Sequence, residues 1–246
     1  MILQNLGFDQ GWVDITGSRQ QPDHWTIGYL AEGAFLWGSR DQAVAEPEMV
    51  HKVVDLATGE ITLPPEEWKD GIRPLILDGR AVYKVFHAQH AFGGWLRQDT
   101  ALLVPGTEFQ IVVPIQMHQQ GSLDPWGAEF GIRLNGGDPV WINFGTAEDR
   151  KWKELTASIV VPASGVVTVE LLFKSKWGKF DFFVDAMRVQ GQLAGGSTPT
   201  PPPVTPPTPP PTVPVPIPTE LNAAIGAHLE NIGNSYVEIG RLLQGQ

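Results

Sequence analysis

The segments VVTVELLF (residues 166–173) and FDFFVDAMRV (residues 180–189) decide the fold class. Along both segments apolar residues recur at every second position, which is the period of a β-strand with one buried side. In the first segment this side carries Val167, Val169, Leu171 and Phe173. In the second segment it carries Phe180, Phe182, Val184 and Ala186. Both segments are therefore predicted to be strands that contribute one side to an apolar core.

Further strand candidates are spread over the first 190 residues. They are RAVYKVF (80–86), EFQIVVPIQM (108–117), EFGIRL (129–134) and ELTASIVV (154–161). Turn-forming pairs such as Pro105-Gly106 and Asn135-Gly136 separate them, and no stretch shows a long helical period. Many short strands joined by such turns are typical of sandwiches. We therefore expect residues 1–190 to form an all-β, antiparallel jelly-roll β-sandwich.

Proline dominates the segment that follows, where it occupies 12 of the 20 residues from 199 to 218. Proline has no backbone N–H to donate, so this segment is neither helix interior nor central strand. It favours an extended polyproline II conformation, at about 3.1 Å per residue. Together with the Gly/Ser residues before it, residues 191–218 are predicted to be a stiff stalk.

The last segment, residues 219–246, changes to a helical period. Its apolar stripe has the spacing of a heptad repeat: Ile225, Leu229, Ile232, Tyr236, Ile239 and Leu243. Gly226, Gly233 and Gly240 each weaken an isolated helix by about 1 kcal/mol relative to alanine, so the stripe must be buried for the helix to form. We expect one short helix that forms a homo-oligomer, a trimer by first expectation, or docks on a larger assembly. The alternative is that it folds back on its own sandwich.

Composition excludes several classes of function. The net charge of −10 disfavours nucleic-acid binding, which usually requires a basic surface. The chain has no cysteine, and no apolar run approaches the roughly 18 residues of a membrane span. The first ten residues, MILQNLGFDQ, lack the pattern of a secretory signal. Either a signal has been removed, or the protein leaves its cell by another route, such as on a virus particle.

Nine tryptophans suggest a binding surface that contains aromatic rings. Trp95, Trp141 and Trp152 lie in strand-like segments and are expected in the core. Trp126 and Trp177 lie in polar turn regions and are expected to be exposed, because loops run over the surface. Exposed rings can stack on the C–H faces of a sugar, and Gln116, His118 and Gln120 are candidates to bind its hydroxyls. Core packing is the alternative for each tryptophan.

Several segments together resemble a known family. NLGFDQGW (5–12), HWTIGYLAEG (24–33), WLRQDTALLVPGTEFQIVV (95–113), RKWKELTASIVVPASGVVTVELLF (150–173) and DFFVDAMRV (181–189) carry the resemblance. They look like the opening strands, a strand–turn–strand with a PGT turn, and the closing strands of calcium-containing jelly-roll carbohydrate-binding modules of bacterial glycanases. The resemblance covers most of residues 5–190 and implies a sandwich fold with glycan as a possible ligand.

The same resemblance implies a structural calcium that joins the first strand to the last. By position its ligands are Asp9, after Gly7-Phe8, and Asp185, in the closing strand. Asp9 departs from the more usual glutamate of the family and is one methylene shorter. Calcium takes six to eight oxygen ligands, so two carboxylates and loop carbonyls suit it. The alternative is that both residues are ordinary solvent-facing acids.

Catalysis is not expected. Glycan hydrolysis needs two carboxyl groups about 5–10 Å apart, and the candidate pairs are Glu46/Glu48, Glu66/Glu67 and Glu148/Asp149. None lies in a recognisable catalytic motif, and nucleophile and HExxH motifs are lacking. We therefore expect a non-catalytic display protein, a virion surface, capsid-decoration or fibre component with a carbohydrate-binding-like head on the stalk. The alternative is a secreted glycan-binding module that accompanies a glycanase.

Overall fold

The computed structural model describes residues 1–30, 45–121 and 123–195. Within these ranges the chain forms fourteen strands. They are β1 (Trp12–Thr16), β2 (Arg19–Pro22), β3 (Thr26–Tyr29), β4 (Glu48–Asp55), β5 (Glu60–Ile61), β6 (Ala81–His87), β7 (Phe92–Asp99), β8 (Glu108–Gln119), β9 (Ala128–Leu134), β10 (Val140–Asn143), β11 (Trp152–Val160), β12 (Thr168–Ser175), β13 (Phe180–Val184) and β14 (Arg188–Gln190). A 3-10 turn (Pro65–Glu67) and one short helix, α1 (Phe144–Ala147), complete the secondary structure of these ranges.

The strands form two sheets. The nine-stranded sheet has the order β1-β2-β4-β6-β13-β8-β11, with β14 paired to β8 and β5 paired to β4. The five-stranded sheet has the order β10-β9-β12-β7-β3. Between β6 and β9, and again between β10 and β13, the chain crosses from one sheet to the other at each step. Between these strands the pairing is antiparallel except at Arg19 and Met49, where β2 runs parallel to β4.

One apolar core fills the space between the sheets, which confirms the predicted β-sandwich. Val167, Val169, Leu171 and Phe173 are completely buried in it, as are Phe180, Phe182 and Val184. The alternation in the two deciding segments therefore predicted the core-facing sides correctly. Ala186 follows β13 and has a positive φ of 50°, so it no longer continues the strand pattern.

A second, smaller apolar cluster covers part of the outer side of the nine-stranded sheet. It contains Leu63, Leu75, Ile76, Val82 and Phe183. Residues 62–75, called here the roof segment, supply the first two, while Val82 and Phe183 point outward from β6 and β13. Trp152 packs against this cluster and donates a hydrogen bond of 2.8 Å to the carbonyl of Pro74. Apolar packing and this hydrogen bond therefore attach the roof segment to the sheet.

The predicted C-terminal elements lie outside the described residues. This applies to the stalk beyond Gly195 and to the helix over residues 219–246 with its stripe from Ile225 to Leu243. Among the described residues, no helix is both long and apolar enough to cross a membrane.

His51 of β4 is a buried ionisable group that lies beside the N-terminal strand β1. Its ring stacks on Trp12 with centroids 4.2 Å apart and meets Tyr83 edge-on at 5.0 Å. Neither ring nitrogen has a hydrogen-bond partner among the described residues. Burial lowers the pKa of His51 from 6.5 to about 3, so the ring is neutral in the folded protein at pH 7.

We expect His51 to make the domain less stable in mild acid. The unfolded chain binds a proton below pH 6.5 and the folded chain does so only near pH 3, so stability falls as pH decreases through this window. At pH 5 the loss is about 2 kcal/mol. Urea unfolding at pH 7 and pH 5 should show a smaller pH effect in His51→Phe. His24→Asn, at an exposed histidine, is the matched control. An equal pH effect in the unmodified protein and in both variants would contradict the assignment to His51.

Candidate functional site

The outer side of the five-stranded sheet carries two tryptophans in one row across the strands. The register places Trp95 of β7 opposite Leu172 of β12, Leu172 opposite Gly131 of β9, and Gly131 opposite Trp141 of β10. Three strand intervals separate the two tryptophans, which corresponds to about 14 Å between their Cα atoms. Both are half-buried, and Leu172 between them is 2% exposed. Two aromatic residues thus flank an apolar floor on the surface of the sheet.

Each of these indole rings lies over a glycine of a neighbouring strand. A Cβ atom at Gly28 of β3 would come within 2.3–2.9 Å of three ring atoms of Trp95. At Gly131 it would come within 2.6–2.9 Å of three ring atoms of Trp141. The ring of each tryptophan therefore occupies the space that a side chain at the glycine would fill. The glycines therefore allow both rings to lie against the sheet.

Charged residues form the next row on the same surface. Glu170 of β12 is 3% exposed and accepts hydrogen bonds from Arg97 of β7 and Arg133 of β9. Burial alone would raise the pKa of Glu170, but the hydrogen bonds from Arg133 and Arg97 lower it below its usual value. The Cζ atom of Arg97 also lies 4.9 Å from the ring centroid of Trp95. The carboxylate thus fixes two guanidinium groups beside the aromatic row.

A third row, at the opposite side of the tryptophans, contains Lys174 and Glu129. The Lys174 amine lies 4.3 Å from the ring centroid of Trp141. Burial raises the pKa of Glu129 and lowers that of Lys174. The aromatic row therefore has hydrogen-bonding groups on both sides.

The expectation that Trp95 and Trp141 belong to the core is wrong. Both point away from the core between the sheets, and Trp152 packs on the outer cluster instead. The strand pattern of the sequence could have shown that Trp95 and Leu96 point to opposite sides. It could not show the register that pairs Trp95 with Gly28 and Trp141 with Gly131, since these pairs are distant in the chain.

The two tryptophans predicted on loops are exposed. Trp126 is 62% exposed and Trp177 is 36% exposed. Asp124 connects them, because it accepts the Trp177 indole N–H at 2.8 Å and the Trp126 backbone N–H at 3.0 Å. They form a second aromatic surface, on the loops at one end of the sandwich.

The other predicted ligand-binding residues lie together in a pocket of about 290 Å³ on the outer side of the nine-stranded sheet. Gln116, His118 and Gln120 all line it. Neither Trp126 nor Trp177 lines this pocket. The residues predicted to form one glycan site therefore lie in two separate places, the three polar residues in the pocket and the two tryptophans on the loops.

Asp9 and Asp185 converge, although 176 positions separate them in the chain. A Cβ atom at Gly7 would lie 3.2 Å from Asp9 Oδ2 and 3.6 Å from Asp185 Oδ1, so both oxygens face the same point. Asp9 Oδ1 accepts the N–H groups of Arg80 and Ala81. Asp185, which is fully buried, accepts those of Leu77 and Asp78 through Oδ2. Asp185 is therefore not the solvent-facing acid of the alternative interpretation, and Asp9 is partly buried with its Oδ1 bound to the backbone.

The electrostatics of this pair suit a cation. Burial, together with the negative charge of Asp9, raises the pKa of Asp185 to about 7. Burial also raises the pKa of Asp9. Asp9 Oδ2 has no hydrogen bond to it within the described ranges. No group of three or more acidic, histidine or cysteine side chains within these ranges could hold a metal ion, so further ligands would be backbone or side-chain amide oxygens or water.

Of the acid pairs considered for hydrolysis, Glu148/Asp149 is held by neighbouring lysine and histidine side chains. Glu148 binds Lys151 and Lys153, and their hydrogen bonds lower its pKa to about 2. Asp149 binds His118 at 2.9 Å. A lowered pKa is opposite to what a general acid requires, so the geometry gives no support to catalysis by this pair.

No model of a protein family matches the sequence, and no curated protein matches it. Similar solved structures are carbohydrate-binding modules. The module TmCBM61, in complex with β-1,4-galactotriose, is 12% identical over 78% of this chain and 98% of its own, with a TM-score of 0.46. The xylan-binding CBM22-1 domain of Paenibacillus barcinonensis Xyn10C is 13% identical over 76% and 92%, with a TM-score of 0.34.

Part of a phage protein is also similar. The enzymatically active domain of tailspike protein 4 of bacteriophage CBA120 is 10% identical over 70% of this chain but 20% of its own, with a TM-score of 0.39.

Proposed function

We propose that this protein is a non-catalytic glycan-binding protein, and that the outer side of the five-stranded sheet is its binding surface. The observation that carries the proposal is the pair of indole rings, Trp95 and Trp141, each placed on a glycine of the neighbouring strand. Aromatic rings held in this way offer apolar surface at little further loss of side-chain entropy. Such surfaces suit the C–H faces of pyranose rings.

The polar rows beside the tryptophans complete the chemistry of sugar recognition. Arg97 and Arg133 are fixed by Glu170, and each guanidinium has more N–H donors than these bonds use. Sugar hydroxyls can accept those hydrogen bonds while the rings stack. Because the two tryptophans lie in one transverse row, the glycan would cross the strands rather than run along them.

A binding screen tests this function. The full-length protein is titrated calorimetrically with neutral oligosaccharides of β-linked galactose, xylose, mannose and glucose. We expect at least one series to bind more tightly as the number of sugar units rises, since two separated rings require more than one unit. A folded protein that binds none of them would contradict the proposal.

We also propose that Asp9 and Asp185 hold a structural calcium ion. The two converging carboxylates and the free Oδ2 of Asp9 support it. A bound dication would compensate two like charges and hold the turn at residues 77–81, which both carboxylates already contact.

We propose that the C-terminal region serves to display the sandwich domain. The proline-rich stalk and the heptad stripe of residues 225–243 support attachment to a second copy of the chain or to a larger assembly. A virion surface is the setting we propose for such a displayed head. A secreted module accompanying a glycanase is the alternative, and it shares the same binding surface.

Light scattering after size-exclusion chromatography tests the role of this region. We expect the full chain to be oligomeric, a trimer in the simplest case, and residues 1–196 to be monomeric, because the heptad stripe must be buried to form a helix. The shortened chain keeps the complete sandwich core and should retain its melting temperature. A monomeric full chain at micromolar concentration would contradict self-association.

A further inference from the structure

The pocket on the outer side of the nine-stranded sheet has walls of two kinds. Leu63 and Leu75 of the roof segment and Phe183 of β13 form apolar walls. Gln116 and Gln120 of the β8 region contribute amide groups. The volume of about 290 Å³ is near the lower end of small-molecule sites. This combination of walls suits a ligand about the size of one sugar ring.

Positive charge exceeds negative charge in the lining. Three cationic side chains, Lys52, Lys84 and Arg150, face two carboxylates, Asp181 and Glu67. Lys84 pairs with Asp181 at 3.2 Å, and Arg150 lies 3.9 Å from Glu67. Lys52 of β4 has no ion pair with any of the described residues. The lining therefore contains one cation in excess in a partly buried position.

The environment of Lys52 is unfavourable for its charge. Burial lowers its pKa, and the positive charge of Lys84 lowers it further. Asp181, Glu48 and Glu67 act in the opposite direction but do not cancel the shift. An anion bound in the pocket would compensate the charges of Lys52 and Lys84 together.

A hydrogen-bonded network holds Arg150 in its place in the pocket lining. Arg150 Nη2 lies 2.8 Å from His118 Nε2, and His118 Nδ1 lies 2.9 Å from Asp149 Oδ1. A guanidinium only donates, so Nε2 is the acceptor and Nδ1–H donates to Asp149. Both ring nitrogens are thus used within the protein. His118 positions Arg150 at the pocket and does not bind the ligand through its ring nitrogens, unlike the role first expected for it.

We propose that this pocket binds a carboxylate-bearing sugar residue, such as a uronic acid. Its carboxylate lies against Lys52 and Lys84, and its ring lies between the apolar walls. The Gln116 and Gln120 amides bind its hydroxyls. This site is on the opposite side of the sandwich from Trp95 and Trp141, so it does not depend on the function proposed for that surface.

Two ligands that differ only in the carboxylate test the site. Methyl β-D-glucuronide and methyl β-D-glucoside are titrated into the full chain and followed by amide and side-chain NMR shifts. We expect the glucuronide to bind at least about 10-fold more tightly, because a charge-assisted hydrogen bond contributes on the order of 1.5–3 kcal/mol. The shifts should include the Gln116 side-chain amide and exclude the Trp95 and Trp141 indoles.

The substitution Lys52→Gln should reduce glucuronide affinity about 10-fold, with no loss of melting temperature. Lys69→Gln is the control, since Lys69 is an exposed lysine of the roof segment that does not line this pocket. It should leave the affinity unchanged. Equal binding of both sugars, or equal effects of both substitutions, would overturn the proposal. Displacement of the glucuronide by an equal concentration of inorganic phosphate would also overturn it and show a site for any anion.

Discussion

Replacing Trp95 or Trp141 with alanine should lower glycan affinity at least about 30-fold, which corresponds to the roughly 2 kcal/mol typical of a central aromatic contact. The Cα atoms are about 14 Å apart, so the two losses should add in the double variant to about 1,000-fold. Both side chains are only half-buried and lie outside the core, so the variants should fold. Isothermal titration calorimetry with the best ligand of the screen measures the effect.

The loop tryptophans provide the matched comparison. Trp126→Ala and Trp177→Ala remove the same side chain from the exposed surface around Asp124. If the five-stranded sheet is the binding surface, these variants should bind as the unmodified protein does. A loss confined to them would move the glycan site to the loops and refute the assignment to Trp95 and Trp141.

Removing calcium should lower the melting temperature by about 10 °C. A ligand present at 1,000 times its Kd stabilises the folded state by about 4 kcal/mol. For a domain of this size each kcal/mol corresponds to about 2–4 °C. Calorimetry in 1 mM EDTA and in 1 mM calcium measures the difference. Magnesium should restore less of the stability, because it requires stricter octahedral geometry.

The variant Asp185→Asn distinguishes a metal site from a simple hydrogen-bonding role. The amide keeps an oxygen that can accept the N–H groups of Leu77 and Asp78, and it removes the repulsion with Asp9. The N–H group of Ala186, which Asp185 Oδ1 accepts at 2.6 Å, loses its acceptor. We expect this variant to lose the calcium response, so that its melting temperature is the same in calcium and in EDTA. Asp14→Asn, at an exposed acid of β1, should keep the response. A melting temperature that is independent of calcium in the unmodified protein would exclude the site.

The local sequence pattern correctly predicted features that depend on neighbouring residues along one strand. The alternation from Val167 to Phe173 identified the core side of β12 correctly because one side of that strand faces only apolar partners. The resemblance of the opening and closing strands brought Asp9 and Asp185 together correctly. The loop position of Trp126 indicated its exposure, since it has few partners to cover it.

What the sequence could not predict depends on pairing between distant strands. Trp95 was expected in the core because an aromatic residue in a strand is usually buried, and nothing near it in the chain indicates Gly28 as its neighbour. The pocket at Lys52 depends on the roof segment, which covers the outer side of β6 and β13. Its small apolar cluster has no regular period, so no pattern indicated that the outer side of a sheet was partly covered.

The glycines beneath the two indoles have a consequence for how ligand preference can change in evolution. A single added methyl group at position 28 or 131 would force the ring above it to tilt, while every aromatic residue remained in place. Two chains with identical tryptophans could therefore bind different sugars, or none. The smallest residues of this surface, rather than the largest, are the ones to compare between diverged copies.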